Sequence, residues 1–163
     1  MSKQIEIVAD FTAKLNGIKI GEVKSISVTK IVQSKHTHTS AVGDYDISIG
    51  QIEKIEVSCV VLSQNFLHYY SAGLLNDAEL DFIEAVKYGS EAKGGDFEFK
   101  GILDIEVNDS ERKGVKEITL KMSCNKAYHE VDGVQQYHID FKNNICQIGT
   151  TDTMDKVRKI IGA

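Results

Sequence analysis

The stretch Ile18 to Leu62, IKIGEVKSISVTKIVQSKHTHTSAVGDYDISIGQIEKIEVSCVVL, decides the fold. Before its polar loop Thr39-Ser40-Ala41-Val42-Gly43-Asp44, Ile26, Val28, Lys30, Val32 and Ser34 share one face. Ser27, Thr29, Ile31, Gln33 and Lys35 share the other, a period of two that predicts a pleated strand. After the loop, Ile47 and Ile49 alternate with Asp46 and Ser48, Gly50-Gln51 interrupts, and Ile55, Val57, Cys59 and Val61 alternate with Lys54, Glu56 and Ser58. The two segments make one long hairpin. Ordinary strands run about 5–6 residues at about 3.3 Å each, so arms of this length project beyond a domain of this size and need a partner to cover them. The distal part, residues 36–45, carries few apolar residues and is expected to be disordered alone, ordering only against a neighbour. Lys35, His36, His38, Ser40, Gly43, Asp44 and Tyr45 are its candidate contact residues, with strand-edge hydrogen bonds supplying affinity.

The whole chain has the size of one domain, residues 1–163. Its 42% hydrophobic and 26% charged residues exclude disorder and collagen-like repeats, and no run of about 20 apolar residues exists to span a membrane. The N-terminal residues carry no apolar signal core, so neither export nor a membrane anchor is expected. Cys59, Cys124 and Cys146 are far apart and show no Cys-x-x-Cys spacing; Cys59 and Cys124 fall on apolar strand faces and read as reduced core residues. Net charge is −5, and the two arginines, Arg112 and Arg158, form no basic stripe. That excludes tight nucleic-acid binding, which needs clustered cations, and leaves free passage of DNA open. The absence of proline suits long strands paired on both sides.

Along the chain, Ile5 to Leu15 reads as a strand closed by the hairpin turn Asn16-Gly17. Ser63 can cap a helix with an apolar stripe of Phe66, Leu67, Tyr70 and Leu74. Ala78 to Val86 is a strand, and Gly89 to Asp96 a flexible hairpin loop whose glycines have phosphate-loop spacing without the Lys-Ser/Thr and helix a Walker loop requires. Phe97 to Val107 and Ile118 to Cys124 form a second hairpin, Val131 to Val134 a turn, and Tyr137 to Phe141 a strand. Asp152 to Ile161 reads as a second helix, with Asp152 and Asp155 as N-terminal caps, Met154, Val157 and Ile161 as a buried stripe, and Gly162 as the stop.

No catalytic constellation survives inspection. His36 and His38 share a strand face with Asp44 and Asp46 across the loop, but metal sites need three or four ligands held by a second shell, and a polar contact surface is the better reading. His68, His129 and His138 have no paired nucleophile, there is no Gly-x-Ser-x-Gly elbow, and Asp104 with Glu106 reads as solvated surface. Neither a cofactor nor a metal is expected.

In consistent order over nearly the whole chain, the pieces resemble the major tail tube protein of contractile-tailed bacteriophages and phage-derived bacteriocins. The features that carry this are Leu15-Asn16-Gly17 leading through Gly21 and Val23 into Ser25-Ile26-Ser27-Val28, the long arm, the helix after Ser63, and Gly101-Ile102-Leu103-Asp104-Ile105. Most specific are Val131-Asp132-Gly133, Ile139-Asp140, Asn143-Asn144, and Asp155-Lys156-Val157-Arg158 closing on Ile160-Ile161-Gly162. One departure is Thr29-Lys30, where many relatives place a proline before the lysine. The resemblance implies a mainly β domain, a sandwich or barrel-like core with the extended hairpin and two short flanking helices. It implies a structural protein without enzyme activity that forms hexameric rings, closing into a multi-subunit β-barrel tube in a virion tail assembled in the host cytoplasm. Its partners would be further copies of itself and the sheath, baseplate and tail terminator proteins. The polar strand faces, led by Ser27, Thr29, Glu56, Ser58, Asp104 and Glu106, would line a hydrophilic lumen past which DNA slides without sticking. The tube of a type VI secretion or extracellular injection system shares this architecture, and a monomeric ligand-binding barrel is the alternative of a different class.

Overall fold

A computed structural model describes residues 5–20, 22–28, 30–62 and 76–162. The chain is a succession of antiparallel strands, and among the described residues the tight reversals fall where positive φ is adopted. β1 (Ile7–Leu15) turns into β2 (Ile18–Lys19) through Asn16 at φ 51° and Gly17 at φ 83°, with Leu15 opposite Ile18. β3 (Val23–Val28), β4 (Gln33–Thr39), β5 (Asp44–Ile52) and β6 (Glu56–Val61) make the long hairpin. β3 pairs β6 from Val23–Val61 to Val28–Val57, and β4 pairs β5 from Gln33–Ile52 to Thr39–Asp44. The sequence-predicted arm is therefore one hairpin in two parts. Its root belongs to the main sheet, and its distal ribbon is a separate two-stranded sheet. That ribbon is a hydrogen-bonded ladder, where disorder was the expectation for residues 36–45.

The strands that follow are longer than their sequence pattern predicts. β7 (Ala78–Tyr88) and β8 (Glu91–Val107) join through Gly89, at φ 62°, and Ser90. The expected loop at residues 89–96 is thus corrected to a two-residue turn, because Gly94 and Gly95 lie inside the β8 ladder between β7 and β9 (Ile118–Val131). Gly95 has a packing reason: a Cβ there would lie 2.9 Å from the Glu84 side chain. β10 (Val134–Asp140) follows the predicted turn at Asp132 and Gly133, φ 48° and 80°. β11 (Ile145–Ile148), β12 (Thr151–Asp152) and the helix α1 (Asp155–Ile161) complete the described chain.

β8 and β9 are the spine. The main sheet runs β12-β11-β10-β9-β8-β7-β1-β2, and β9 changes partner along its length. Residues 118–123 pair β6, and residues 126–131 pair β10. The switch is a bulge at Asn125, where Lys100 pairs Lys126 but Gly101 pairs Cys124. Cys124 N–H donates to the Ile55 carbonyl at 3.0 Å and Phe141 N–H to the Asn125 carbonyl at 3.0 Å, so both flanking strands are tied at this point. The extra residue advances the side-chain alternation of β9 by one, so that Ile118, Leu120, Met122, Cys124 and then Ala127 all face one core. That core gathers Leu15, Ile55, Val57, Cys59, Leu80, Phe82, Phe99, Leu103, Ile139 and Cys146, and among the described residues no polar or charged side chain is buried with it. Phe82 and Phe99 meet edge to face with centroids 6.0 Å apart. Burial pushes the Cys59 and Cys124 thiols up to about 12, consistent with their reading as core residues.

The C-terminal helix forms as expected and stops at Gly162 in the left-handed conformation, φ 74°. Two details differ. No residue of α1 is buried, with Val157, Ile160 and Ile161 exposed, and only Met154 packs against the core. Nor does Asp152 cap the first turn: it lies in β12, where its carboxylate binds the Arg158 guanidinium and accepts the Met154 N–H at 3.0 Å, ahead of the helix. The helix predicted after Ser63 lies outside the described residues.

Candidate functional site

Four of the main-sheet strands carry a polar face directly above the core. Cross-strand register places Ser27 opposite Ser58, Ser58 opposite Lys121 and Lys121 opposite Asp104, one row running β3-β6-β9-β8. The neighbouring rows bring Glu56 opposite Ser123, itself opposite Ile102, and Val60 opposite Thr119, itself opposite Glu106. The intervening residues Val57, Met122 and Leu103 form the matching row on the core side. Ser27, Lys54, Glu56, Ser58, Asp104, Lys121 and Ser123 surround one shallow depression. Five of the six sequence-predicted polar-face residues thus share one surface; Thr29 lies outside the described residues.

The charges on this surface largely answer one another. Lys54 binds Glu56 at 2.8 Å, and Lys121 reaches Glu106 at 3.5 Å. The Lys54 ammonium, by hydrogen bond and then by charge, holds the Glu56 carboxyl below the usual carboxylate range. Three carboxylates face two ammonium groups, and each ammonium already has a carboxylate partner. Such a wall is hydrated and offers little grip to a polyanion.

Two strand edges flank this face. Among the described residues β3 pairs only β6, and β8 beyond Gly101 pairs only β9, since its ladder to β7 ends at Ala78–Gly101. The section β3-β6-β9-β8 is therefore a four-stranded antiparallel sheet with an open edge on either side, a wet face and a dry one. Unpaired edges of this kind are templates for another chain.

The second predicted surface is the arm. His36 opposite Ile47 and His38 opposite Tyr45 share one face, His38 and Tyr45 touching edge to face at 5.4 Å. Lys35, Thr37, Thr39, Asp44, Asp46 and Ser48 occupy the other. The register thus separates the two histidines from Asp44 and Asp46, which the sequence had grouped across the loop. Thr37 Oγ1 donates to Asp46 at 2.8 Å, and the Ser40 hydroxyl donates to the Gly43 carbonyl at 2.8 Å, so the tip is organised from within. Lys35, His36, His38, Ser40, Gly43, Asp44 and Tyr45 are all exposed.

Lys54, Lys121 and Ser123 belong to the polar face but were not singled out as its leading residues; opposite strand neighbours are legible only once register is known. Gly50, read as a mere interruption of alternation, is a bulge at φ 77° whose carbonyl accepts a hydrogen bond from Thr153 at 3.0 Å.

A wet face between open edges, with a projecting ribbon, defines a class: β domains whose sheet can accept further strands at its edges. The chain belongs to the phage tail tube protein FII family, whose model matches residues 5–162. It is a structural tail tube protein and not an enzyme. No curated protein sequence matches it. Among solved structures it is similar to a chain of the sheath/tube terminator of the extracellular contractile injection system PVC in its extended state. That likeness has 11% identity and a TM-score of 0.56, over 76% of this chain and 95% of that one. A chain of the PVC sheath-tube complex in the extended state is similar at 12% identity and TM-score 0.51, over 74% of this chain and 87% of that one. Both likenesses concern the fold.

Proposed function

We propose that the protein is the inner-tube subunit of a contractile phage or phage-like tail, closing side by side into hexameric rings that stack into a tube. The observation that carries this reading is the four-stranded section with two open edges. Three antiparallel steps separate β3 from β8, so the two edges run in opposite directions. A copy rotated about a ring axis presents its β8 edge, residues 102–107, to the β3 edge of its neighbour in antiparallel orientation, and repetition closes a barrel that leaves no edge. In that barrel Ser27, Thr29, Glu56, Ser58, Asp104 and Glu106 face the lumen, and DNA passes without tight binding. The arm, through Lys35, His36, His38, Ser40, Gly43, Asp44 and Tyr45, reaches the adjacent ring. Sheath, baseplate and terminator proteins complete the tail, assembled in the host cytoplasm.

The likeness to chains of the PVC sheath/tube terminator and sheath-tube complex favours a second reading, the tube of an extracellular contractile injection system; its passenger would then be protein. The wall chemistry suits both, and the neighbouring genes distinguish them. Electron microscopy of the concentrated protein tests the assembly, with rings or tubes expected and a persistent monomer overturning it. Replacing residues 37–43 by an Asn-Gly turn is expected to leave a folded protein, by circular dichroism, that no longer forms long tubes. Long tubes from the shortened chain would remove the arm from the ring-to-ring contact.

A further inference from the structure

The arm leaves the domain through an irregular joint. Between the Lys35–Ser48 and Gln33–Ile52 pairs, β5 carries two residues more than β4, and Gly50 within that bulge has φ 77°. A bulge without further support is a hinge, because the ladder that would hold its direction is interrupted. Here the C-terminal segment supplies the support. The Thr153 hydroxyl donates to the Gly50 carbonyl at 3.0 Å, and a Cβ on Gly50 would lie 3.4 Å from the Thr153 carbonyl oxygen. Among the described residues no other hydrogen bond ties β4 or β5 to a different element. Thr153 is itself held: its N–H donates to the Cys146 carbonyl at 2.9 Å, and the residue before it, Asp152, is locked by Arg158. That guanidinium also donates to the Asn144 carbonyl at 2.7 Å, while Asp152 accepts the Met154 N–H at 3.0 Å. The Asp152 and Arg158 side chains are 17% and 18% exposed, the most sheltered ion pair among the described residues, so water weakens it least. Ile52 and Met154 both pack against the core and line one groove with Ile139 and Cys146.

We infer that Thr153, braced by the Asp152–Arg158 pair, is the positioning residue that aims the arm, so that the C-terminal segment and the β4–β5 ribbon work as one unit. The consequence for docking rests on the tube reading above. A ribbon held at one angle reaches its contact without losing orientational freedom on binding, which is the gain that preorganisation brings. The Thr153 hydroxyl also lies 3.3 Å from the Cys146 carbonyl, so its loss removes both contacts and frees the hinge, while the Thr153 N–H bond to Cys146 and the ribbon ladder stay in place.

The test is a distance measurement on the unassembled protein, by electron–electron resonance between spin labels at Val42→Cys on the arm tip and Glu111→Cys on the body. The native cysteines are buried and leave the labels to the two new sites. The parent protein is expected to give a narrow distribution, and Thr153→Val to make it roughly twice as broad, as a released hinge does. Thr153→Ser, which keeps the hydroxyl, is expected to restore the narrow distribution. Arg158→Gln reads the same distance with Thr153 intact and is expected to broaden it as well. Circular dichroism melting confirms that each variant is folded. A Thr153→Val distribution as narrow as the parent's, or a parent distribution already broad, overturns the inference. The same variants without labels, viewed by electron microscopy, separate this from the tube reading: a broad distribution with normal tubes keeps the clamp and removes the arm from stacking.

Discussion

Gly101 stands where β8 meets the bulge of β9, and a Cβ at this position would lie 2.0 Å from the Ser123 carbonyl oxygen and 2.9 Å from its carbon. Both are backbone atoms of a strand paired on its two sides, so neither can give way cheaply. Gly101→Ala is expected to destabilise the fold by about 3 kcal/mol, the upper range of overpacking costs, read as a fall in the denaturant midpoint. A neutral outcome would show that the bulge is soft. Asp81 is a second residue with a direct reading. It faces Lys14 on β1 and Glu98 on β8, with Glu79 on its own strand and Asp96 and Glu130 beyond. Burial first, then the Glu79, Glu98 and Asp96 carboxylates, pushes its pKa up to about 6, and one of its oxygens is buried without a hydrogen-bond partner. The folded state therefore binds a proton that the unfolded state lacks between its ordinary carboxylate value and about pH 6. Stability is expected to rise as pH falls from 8 to 5. Below about pH 4 the trend reverses, as Glu56 and Asp152, held low by Lys54 and Arg158, take up protons. Asp81→Asn should flatten the slope between pH 8 and 5 and add on the order of 1 kcal/mol at pH 8, since the group is only partly out of water. Thermal melts across that range provide the check, and a slope unchanged in the variant would remove Asp81 as its source.

At the scale of the element, the polar face was readable because strand alternation is a local property: Glu56, Ser58, Asp104 and Glu106 had to oppose Val57, Cys59, Leu103 and Ile105 whatever their neighbours. What each faces across the sheet was not readable, and that decides its charge balance. Lys54 and Lys121 are held by Glu56 and Glu106, so reversing the carboxylates exposes cations where none was free. The combined Glu56→Lys, Asp104→Lys, Glu106→Lys variant is expected to bind DNA at low salt and release it as salt rises, whereas the parent binds none. A gel shift over a salt series measures this, and a parent that binds equally well would contradict the wall reading. The stripe of α1 shows the opposite failure. Val157 and Ile161 have helical spacing, yet they stay exposed because spacing says which residues share a face and nothing about what that face meets.

For the whole molecule, two long strands shared between two partner sets convert a string of hairpins into one sheet with a core on one side. β9 serves β6 along one half and β10 along the other, and the change occurs at a single extra residue. The sequence by itself determined the mainly β class, the long hairpin, the turns at Asn16-Gly17 and Asp132-Gly133, the stop at Gly162 and the polar face. Each depends on backbone dihedral preference or side-chain alternation within a few residues. Only the tertiary structure decided the glycine stretch at residues 94–95, a strand interior where local chemistry reads as loop, because ladder pairing to the strands on both sides overrides the loop propensity. It alone placed Thr153 against Gly50, 103 residues away in the chain, and paired Arg158 with Asp152 instead of leaving either to the helix ends. Contacts of that kind depend on the register of strands far apart in sequence, and register is settled by the sheet closing on its core, which no local pattern encodes.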